Sequence, residues 1–286
     1  MKKSAMLLLW VGASISVTEI FTGGLLAPLG FAGGIAVILL GHLIGTGLFA
    51  FGGYISFSRG ENAMDSVAFS LGRGGGRIVA FCNVVQLIGW TIVMVVQGSS
   101  AITGVFPAIP FRAAALVLSG LVLLWALIFG SPMGRINEVA VSFLVVLCLL
   151  LFGEAAGLFG PGGPPGPGSA GGMSFALGLE LSVAMPISWL PLAGDYARRA
   201  EGKFCAGWVP FIGYFTGSSL MYFFGLFIGI RSGSDIFSFI ASSSLRLPAC
   251  AVVVLSTLTT AFLDLYSAGV SSRQLVKTRQ ERLPVL

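Results

Sequence analysis

AVSFLVVLCLLLF, Ala140–Phe152, carries no charge and does not alternate. A membrane strand in a barrel alternates apolar and polar residues over about ten positions. This run reads instead as the middle of a helix in hydrocarbon. Working outward, the same texture recurs in stretches close to the roughly 20 apolar residues a helix needs to cross a bilayer. The expected spans are Ala5–Ala27, Ile35–Ile55, Ile78–Val105, Ala113–Gly130, Val139–Phe159, Ser174–Ala193, Trp208–Ile230 and Leu247–Val270. The fold class is therefore an all-α polytopic membrane protein. Composition agrees, since 56% of the 286 residues are hydrophobic and 9% are charged, with a mean hydropathy of +0.95. A soluble domain has no means of covering that much apolar side chain.

Orientation follows from the sixteen Lys and Arg residues, because cytoplasmic loops retain positive charge. With the N-terminus cytoplasmic, Lys2, Lys3, Arg59, Arg73, Arg77, Arg135, Arg198, Arg199, Lys203, Arg273, Lys277, Arg279 and Arg282 fall inside, and only Arg112, Arg231 and Arg246 fall outside. A missed or extra helix would invert every side downstream and blur that bias, so it also supports eight spans. The net charge of +5 is loop topology. Without a basic patch interleaved with aromatics, it gives no reason to expect a nucleic-acid partner. The opening MKKSAMLLLW runs into TGGLLAP without a small-x-small cleavage site and is expected to stay as the first span. The expected location is the cell inner (plasma) membrane, multi-pass.

Cys82, Cys148, Cys205 and Cys250 are isolated and read as small packing residues rather than a metal site or a disulfide framework. GRGGGR (Gly72–Arg77), in the inner loop Ser56–Arg77, lacks the strand and the GK[ST] of a phosphate loop and reads as a flexible connector. GPGGPPGPGSAGG (Gly160–Gly172) is too rich in Pro and Gly to hold regular structure. It is expected to be an external linker, 160–172, between a first five-helix repeat, 1–159, and an incomplete second repeat of spans 6 to 8, 173–272, with a basic cytoplasmic tail at 273–286. Five spans per repeat would invert the second relative to the first, and the first helix of each such repeat is interrupted near the midplane. Both candidates carry the marks. In GASISVTEIFTGG (Gly12–Gly24) the residues Ser14, Ser16, Thr18 and Glu19 interrupt the apolar run and Gly23-Gly24 loosen it. In MPISWLP (Met185–Pro191) two prolines each remove a backbone donor.

Ionisable groups at membrane depth are costly and point to function. Glu19 in span 1 and Asp264 in span 8 are expected at one cavity, in substrate or cation recognition. Glu180 and Glu154 lie nearer the outer ends and read as interfacial. His42, the sole histidine, reads first as a hydrogen-bonding residue of the bundle and second as a proton relay. Gln86 and Trp90 are four residues apart on one face of span 3, a pairing suited to a flat heteroaromatic solute whose ring stacks on the indole while the amide bonds its edge. In span 8, STLTT (Ser256–Thr260) offers the oxygen ligands that a small cation takes. HExxH, GxSxG and any multi-histidine set are missing, so no enzyme is expected.

WVGASISVTEIFTGGLLAPLGF, LLGHLIG, NVVQLIGWT, PLAGDYARR and FLDLYSAGVSS together resemble the nucleobase:cation symporter-1 family, in particular its CytX-type hydroxymethylpyrimidine permeases. The likeness runs from the N-terminus to about Ser272. It implies a LeuT-like fold of five plus five inverted repeats, and uptake of nucleobases and related compounds coupled to sodium or protons. On that likeness Trp90 is the tryptophan that stacks on the substrate ring. Thr259 and Thr260 are the span 8 hydroxyls of a sodium site, completed by backbone carbonyls near Ala13 and Ser16. Ala261 stands where relatives often carry a substrate-binding Asn, and Pro186 where they carry a second aromatic, with Trp189 one turn on to compensate. The family needs at least ten core spans, so the eight found here imply a chain that lacks spans 9 and 10.

The expected function is cation-coupled uptake of a pyrimidine or nucleobase-like solute, hydroxymethylpyrimidine (a thiamine precursor) or cytosine, by alternating access. No cofactor is expected beyond a co-transported Na+ or H+. The alternative is a shortened membrane remnant or partner subunit that does not transport.

Overall fold

The computed structural model describes residues 1–129, 135–155, 157, 172–233 and 236–276. Its regular structure is helical: α1 Lys3–Ser14, α2 Val17–Leu25, α3 Gly30–Arg59, α4 Ala63–Val105, α5 Phe111–Phe129, α6 Arg135–Ala155, α7 Phe175–Ser188, α8 Leu190–Ala197, α9 Lys203–Ala206, α10 Trp208–Ser232, α11 Ile236–Ser242 and α12 Arg246–Ser272. A short 3₁₀ turn, Ala27–Leu29, joins α2 to α3. The eight expected spans correspond to α1 with α2, α3, the long arm of α4, α5, α6, α7 with α8, α10, and α12. Among the described residues, five stretches are long and apolar enough to cross a membrane by themselves: Val17–Arg59, Ala63–Val105, Phe175–Ala197, Lys203–Arg231 and Arg246–Ser272. Phe111–Leu127 and Val141–Glu154 are shorter apolar helices. The flanks are correspondingly apolar, with Leu116, Leu123, Ile78 and Phe51 each more than half exposed. Such a girdle has no place in water and fits lipid. The linker residues 160–171 and the tail residues 277–286 lie outside the described residues.

The loop Ser56–Arg77 is not a flexible connector. Gly60 adopts φ 69° and closes α3 with a left-handed cap. Two residues later the Asn62 side chain accepts from the Asp65 N–H at 2.8 Å and starts α4. Only Gly72, at φ 70° and ψ 173°, departs from helical geometry within GRGGGR. The bend folds the short arm back so closely that a Cβ at Gly76 would press on Ala68. The glycines serve that close approach.

Packing is reciprocal. α3 lies along α7 and α8, α10 lies along α1 and α2, and α4 lies along α12. Both of the first two interfaces use glycines four residues apart. A Cβ at Gly45 would come within 2.6 Å of the Val183 carbonyl, and one at Gly41 would strike Ser182. Across the bundle a Cβ at Gly225 would overlap the Ile20 carbonyl, and one at Gly229 would reach the Gly24 carbonyl at 2.9 Å. Small residues at this spacing bring helix backbones together in a membrane, where dispersion rather than hydrophobicity drives association. Gly23-Gly24 therefore do not loosen the first span; they sit inside α2, against Tyr222 and Gly225 of α10.

Polar contacts tie the expected loops together at each end. At the N-terminal face the Met1 ammonium donates to the Arg199 carbonyl, the Lys3 N–H to Glu201 at 3.3 Å, and the Ala63 N–H to Asp195 Oδ1 at 3.1 Å. At the opposite face Glu154 accepts from the Ser244 N–H at 2.7 Å and from the hydroxyls of Ser243 and Ser244.

Candidate functional site

Span 1 is broken. α1 ends at Ser14, α2 begins at Val17, and the two residues between are extended, with Ile15 at φ −86°, ψ 91° and Ser16 at φ −142°, ψ 154°. Ser16 Oγ accepts the Glu19 N–H at 3.2 Å, which caps α2. Span 6 is jointed at one residue, Trp189, with Pro186 inside α7 and Pro191 in the first turn of α8. There the Leu192 N–H turns to the Trp189 carbonyl at 2.9 Å, three residues back rather than four. The Ser188 carbonyl is satisfied instead by Gln86 Nε2 at 2.7 Å.

The two breaks meet at a narrow pocket of about 20 Å³. Span 1 contributes Ala13, Ser16, Thr18 and Glu19, span 3 Trp90 and Met94, span 6 Met185, Ser188 and Trp189, and span 8 Thr260 and Asp264. A helix C-terminus, a helix N-terminus, two indoles and two carboxyl groups thus converge on one small volume. Once the space widens, the arrangement would set indole against a flat ring, carboxylate against its edge, and oxygen against a cation.

Seven sequence-predicted site residues line this wall: Glu19, Trp90, Trp189, Asp264, Ala13, Ser16 and Thr260. Four do not. Gln86 Nε2 is engaged by the Ser188 carbonyl as described, so that nitrogen holds the joint of span 6. Pro186 packs on α3, close to Gly45. Ala261 is fully enclosed with Met94, Leu118, Val122 and Leu258. The Thr259 hydroxyl donates within its own helix, to Leu255 O at 3.0 Å and Ser256 O at 3.2 Å. Thr260 Oγ1 and Asp264 Oδ2, in contrast, have no hydrogen-bond partner among the described residues, although their residues are 2% and 3% exposed. Buried polar atoms almost always find partners, and of the nine that have none among the described residues these are the two that line the pocket. No group of three or more His, Cys, Asp or Glu clusters among the described residues.

Behind the pocket, Glu19 is held by residues that the sequence reading did not single out. Tyr214 OH donates to Oε1 and Ser218 Oγ to Oε2, each at 2.6 Å. Ser218 Oγ also lies 2.6 Å from His42 Nε2. Thr18 Oγ1 donates to the Gln97 side-chain oxygen and ties α2 to α4. A signal for the first set was present, because Tyr214, Ser218 and Tyr222 recur every fourth residue and form one polar stripe on an otherwise apolar helix. Glu154 binds the turn before α12, and Glu180 is exposed.

A bundle of apolar helices with two interrupted spans around a buried polar pocket defines a secondary transporter of the LeuT-like fold. Solved structures bear out that fold. Mhp1, described as a nucleobase-cation-symport-1 family transporter in a closed conformation with bromovinylhydantoin bound, superposes with a TM-score of 0.74 at 15% identity, over 95% of this chain and 66% of its own. A manganese transporter of Eremococcus coleocola gives 0.68 at 16% identity, over 99% of this chain and 66% of its own. Among curated proteins, the cytosine permease of Escherichia coli (strain K12) is 26% identical across 99% of this chain and 68% of its own length. Residues 2–276 match the family described as "Permease for cytosine/purines, uracil, thiamine, allantoin". The chain belongs to that family, the nucleobase:cation symporter-1 permeases, and not to a family of enzymes.

Proposed function

We propose that this chain moves a pyrimidine or nucleobase-like solute across the inner membrane, its N-terminus cytoplasmic, together with a cation, by alternating access about the two broken spans. The observation that carries the reading is the pocket itself, where two indoles and two buried carboxyl groups from four spans meet at both helix breaks. A ring stacks on Trp90 and Trp189, and its N–H donors face Glu19 and Asp264. Hydroxymethylpyrimidine is the solute of first choice, with cytosine as its competitor. A cation such as sodium takes its oxygens from the last turn of α1 at Ala13, from Ser16 and from Thr260, with Thr259 in the next position of α12. The reciprocal packing of α3 on α7 and α10 on α2 supports a division into two inverted repeats, 1–159 and 173–272, that rock against each other.

The test is uptake of radiolabelled hydroxymethylpyrimidine into proteoliposomes, with and without a sodium gradient and with cytosine as competitor. Saturable accumulation that follows the gradient and falls with cytosine is the expected result. No uptake by folded, inserted protein, beside a working cytosine permease, would overturn the reading.

A further inference from the structure

His42 lies three hydrogen bonds deep in the bundle, on α3, and is fully buried. Its Nδ1 faces the Ile38 carbonyl at 2.9 Å and Ser182 Oγ at 2.8 Å. A carbonyl only accepts, and the Ser182 hydroxyl donates to that same carbonyl at 3.2 Å, so Nδ1 carries a hydrogen of its own. Nε2 faces Ser218 Oγ at 2.6 Å, and the same oxygen is 2.6 Å from Glu19 Oε2. Each of these two short contacts needs one hydrogen between its heavy atoms. The serine has one hydroxyl hydrogen and can fill only one of them. The second must be supplied by Nε2, which makes the imidazole a cation, or by Glu19, which makes the carboxyl group an acid. With neither, two lone pairs would confront each other at 2.6 Å.

We propose that Glu19, Ser218 and His42 hold one proton between them, as a single electroneutral proton-binding site that joins α2, α10 and α3. The two forms interconvert without gain or loss. The Glu19 O–H bond breaks, its proton goes to Ser218 Oγ, and the serine's own proton passes to His42 Nε2; the reverse restores the acid. The groups facing the site are Tyr214 and Tyr222 from α10, Ser182 from α7 and, across the pocket, Asp264 from α12. Tyr214 donates to Oε1, and the Tyr222 ring stands edge-on to the imidazole with centroids 4.6 Å apart. Among the described residues the Glu19 carboxyl group makes its side-chain hydrogen bonds to Tyr214 and Ser218, while its residue lines the solute pocket. Pocket and proton site therefore share one side chain, and occupancy of either changes the other. The proton site stands whether or not the transport reading does.

Because His42 is the sole histidine, full-length protein labelled with ¹⁵N at histidine and held in lipid nanodiscs gives one pair of ring signals. Near neutral pH, without solute, the wild type is expected to show either a protonated Nε2 or an infrared band of a buried carboxylic acid that vanishes in Glu19→Gln. If both are fractional, they sum to one proton. Ser218→Ala removes the bridge, which serves the protonated form with two hydrogen bonds and the bare form with one. Proton affinity is then expected to fall about tenfold or more, so the proton leaves at lower pH. An Nδ1–H signal retained in each variant shows that the imidazole still sits on Ile38. Neither signal in the wild type, both at full strength, or a proton affinity unmoved by Ser218→Ala would overturn the proposal.

Discussion

Trp90 and Trp189 come from different spans and border the same pocket. Stacking of a base on an aromatic side chain contributes about 1–3 kcal/mol. Replacing either tryptophan with alanine is therefore expected to weaken cytosine binding by roughly 5- to 150-fold, read by quenching of the other or by calorimetry. The threonine pair separates just as cleanly. Thr260→Ala is expected to reduce sodium stimulation of solute binding more than Thr259→Ala does, because Thr260 lines the pocket and Thr259 does not. Equal loss in both would contradict the pocket as drawn. Much of this site was legible in the sequence, since a carboxylate or an indole in an apolar span is conspicuous. What the sequence leaves open is rotation. Successive residues on a helix point about 100° apart, so nothing local decides whether Thr259 or Thr260 faces inward, or whether Gln86 reaches the solute or the Ser188 carbonyl. Ser182 and Ser218 were invisible for a second reason, because hydroxyls are ordinary packing residues in membrane helices.

At the scale of elements, both interruptions were readable, but from different chemistry. Polar residues announced the gap at Ile15 and Ser16, and prolines announced the joint at Trp189. Other elements misled. GRGGGR looked like a linker because glycine is a poor helix former, yet tertiary contact turns it into the hinge of a folded-back arm. Gly23-Gly24 looked like weakness and proved to be a packing surface. Two expectations follow. Gly225→Val forces side-chain atoms into the Ile20 carbonyl and is expected to cost about 1–3 kcal/mol by overpacking, seen as a lower unfolding midpoint in detergent. Gln86→Leu leaves the Ser188 carbonyl without its donor, a penalty of about 1–3 kcal/mol. Its signature is a stability loss in solute-free protein, which a residue that only touches solute would not give.

For the molecule as a whole, the N-terminal face is tied by one contact within the second half of the chain and one between the two halves. Arg199 donates to the Tyr266 hydroxyl at 2.6 Å, and Asp195 receives the Ala63 N–H. Removing both with Asp195→Ala and Tyr266→Phe takes away two hydrogen bonds of about 1 kcal/mol each, enough to shift a two-state closure by roughly thirtyfold. A thiol placed at Ser188, with Cys82 replaced by serine because it is the exposed native cysteine, is expected to react faster with a reagent from the N-terminal face in that double variant. Unchanged reactivity would mean that these contacts do not hold the face shut. The joint of span 6 has one more implication. Trp189 is both a wall of the pocket and the residue at which the span bends, so taste and gait reside in one side chain. A lineage that altered this position to accept a bulkier ring would change its pace in the same step, and selection for diet alone would be answered in tempo.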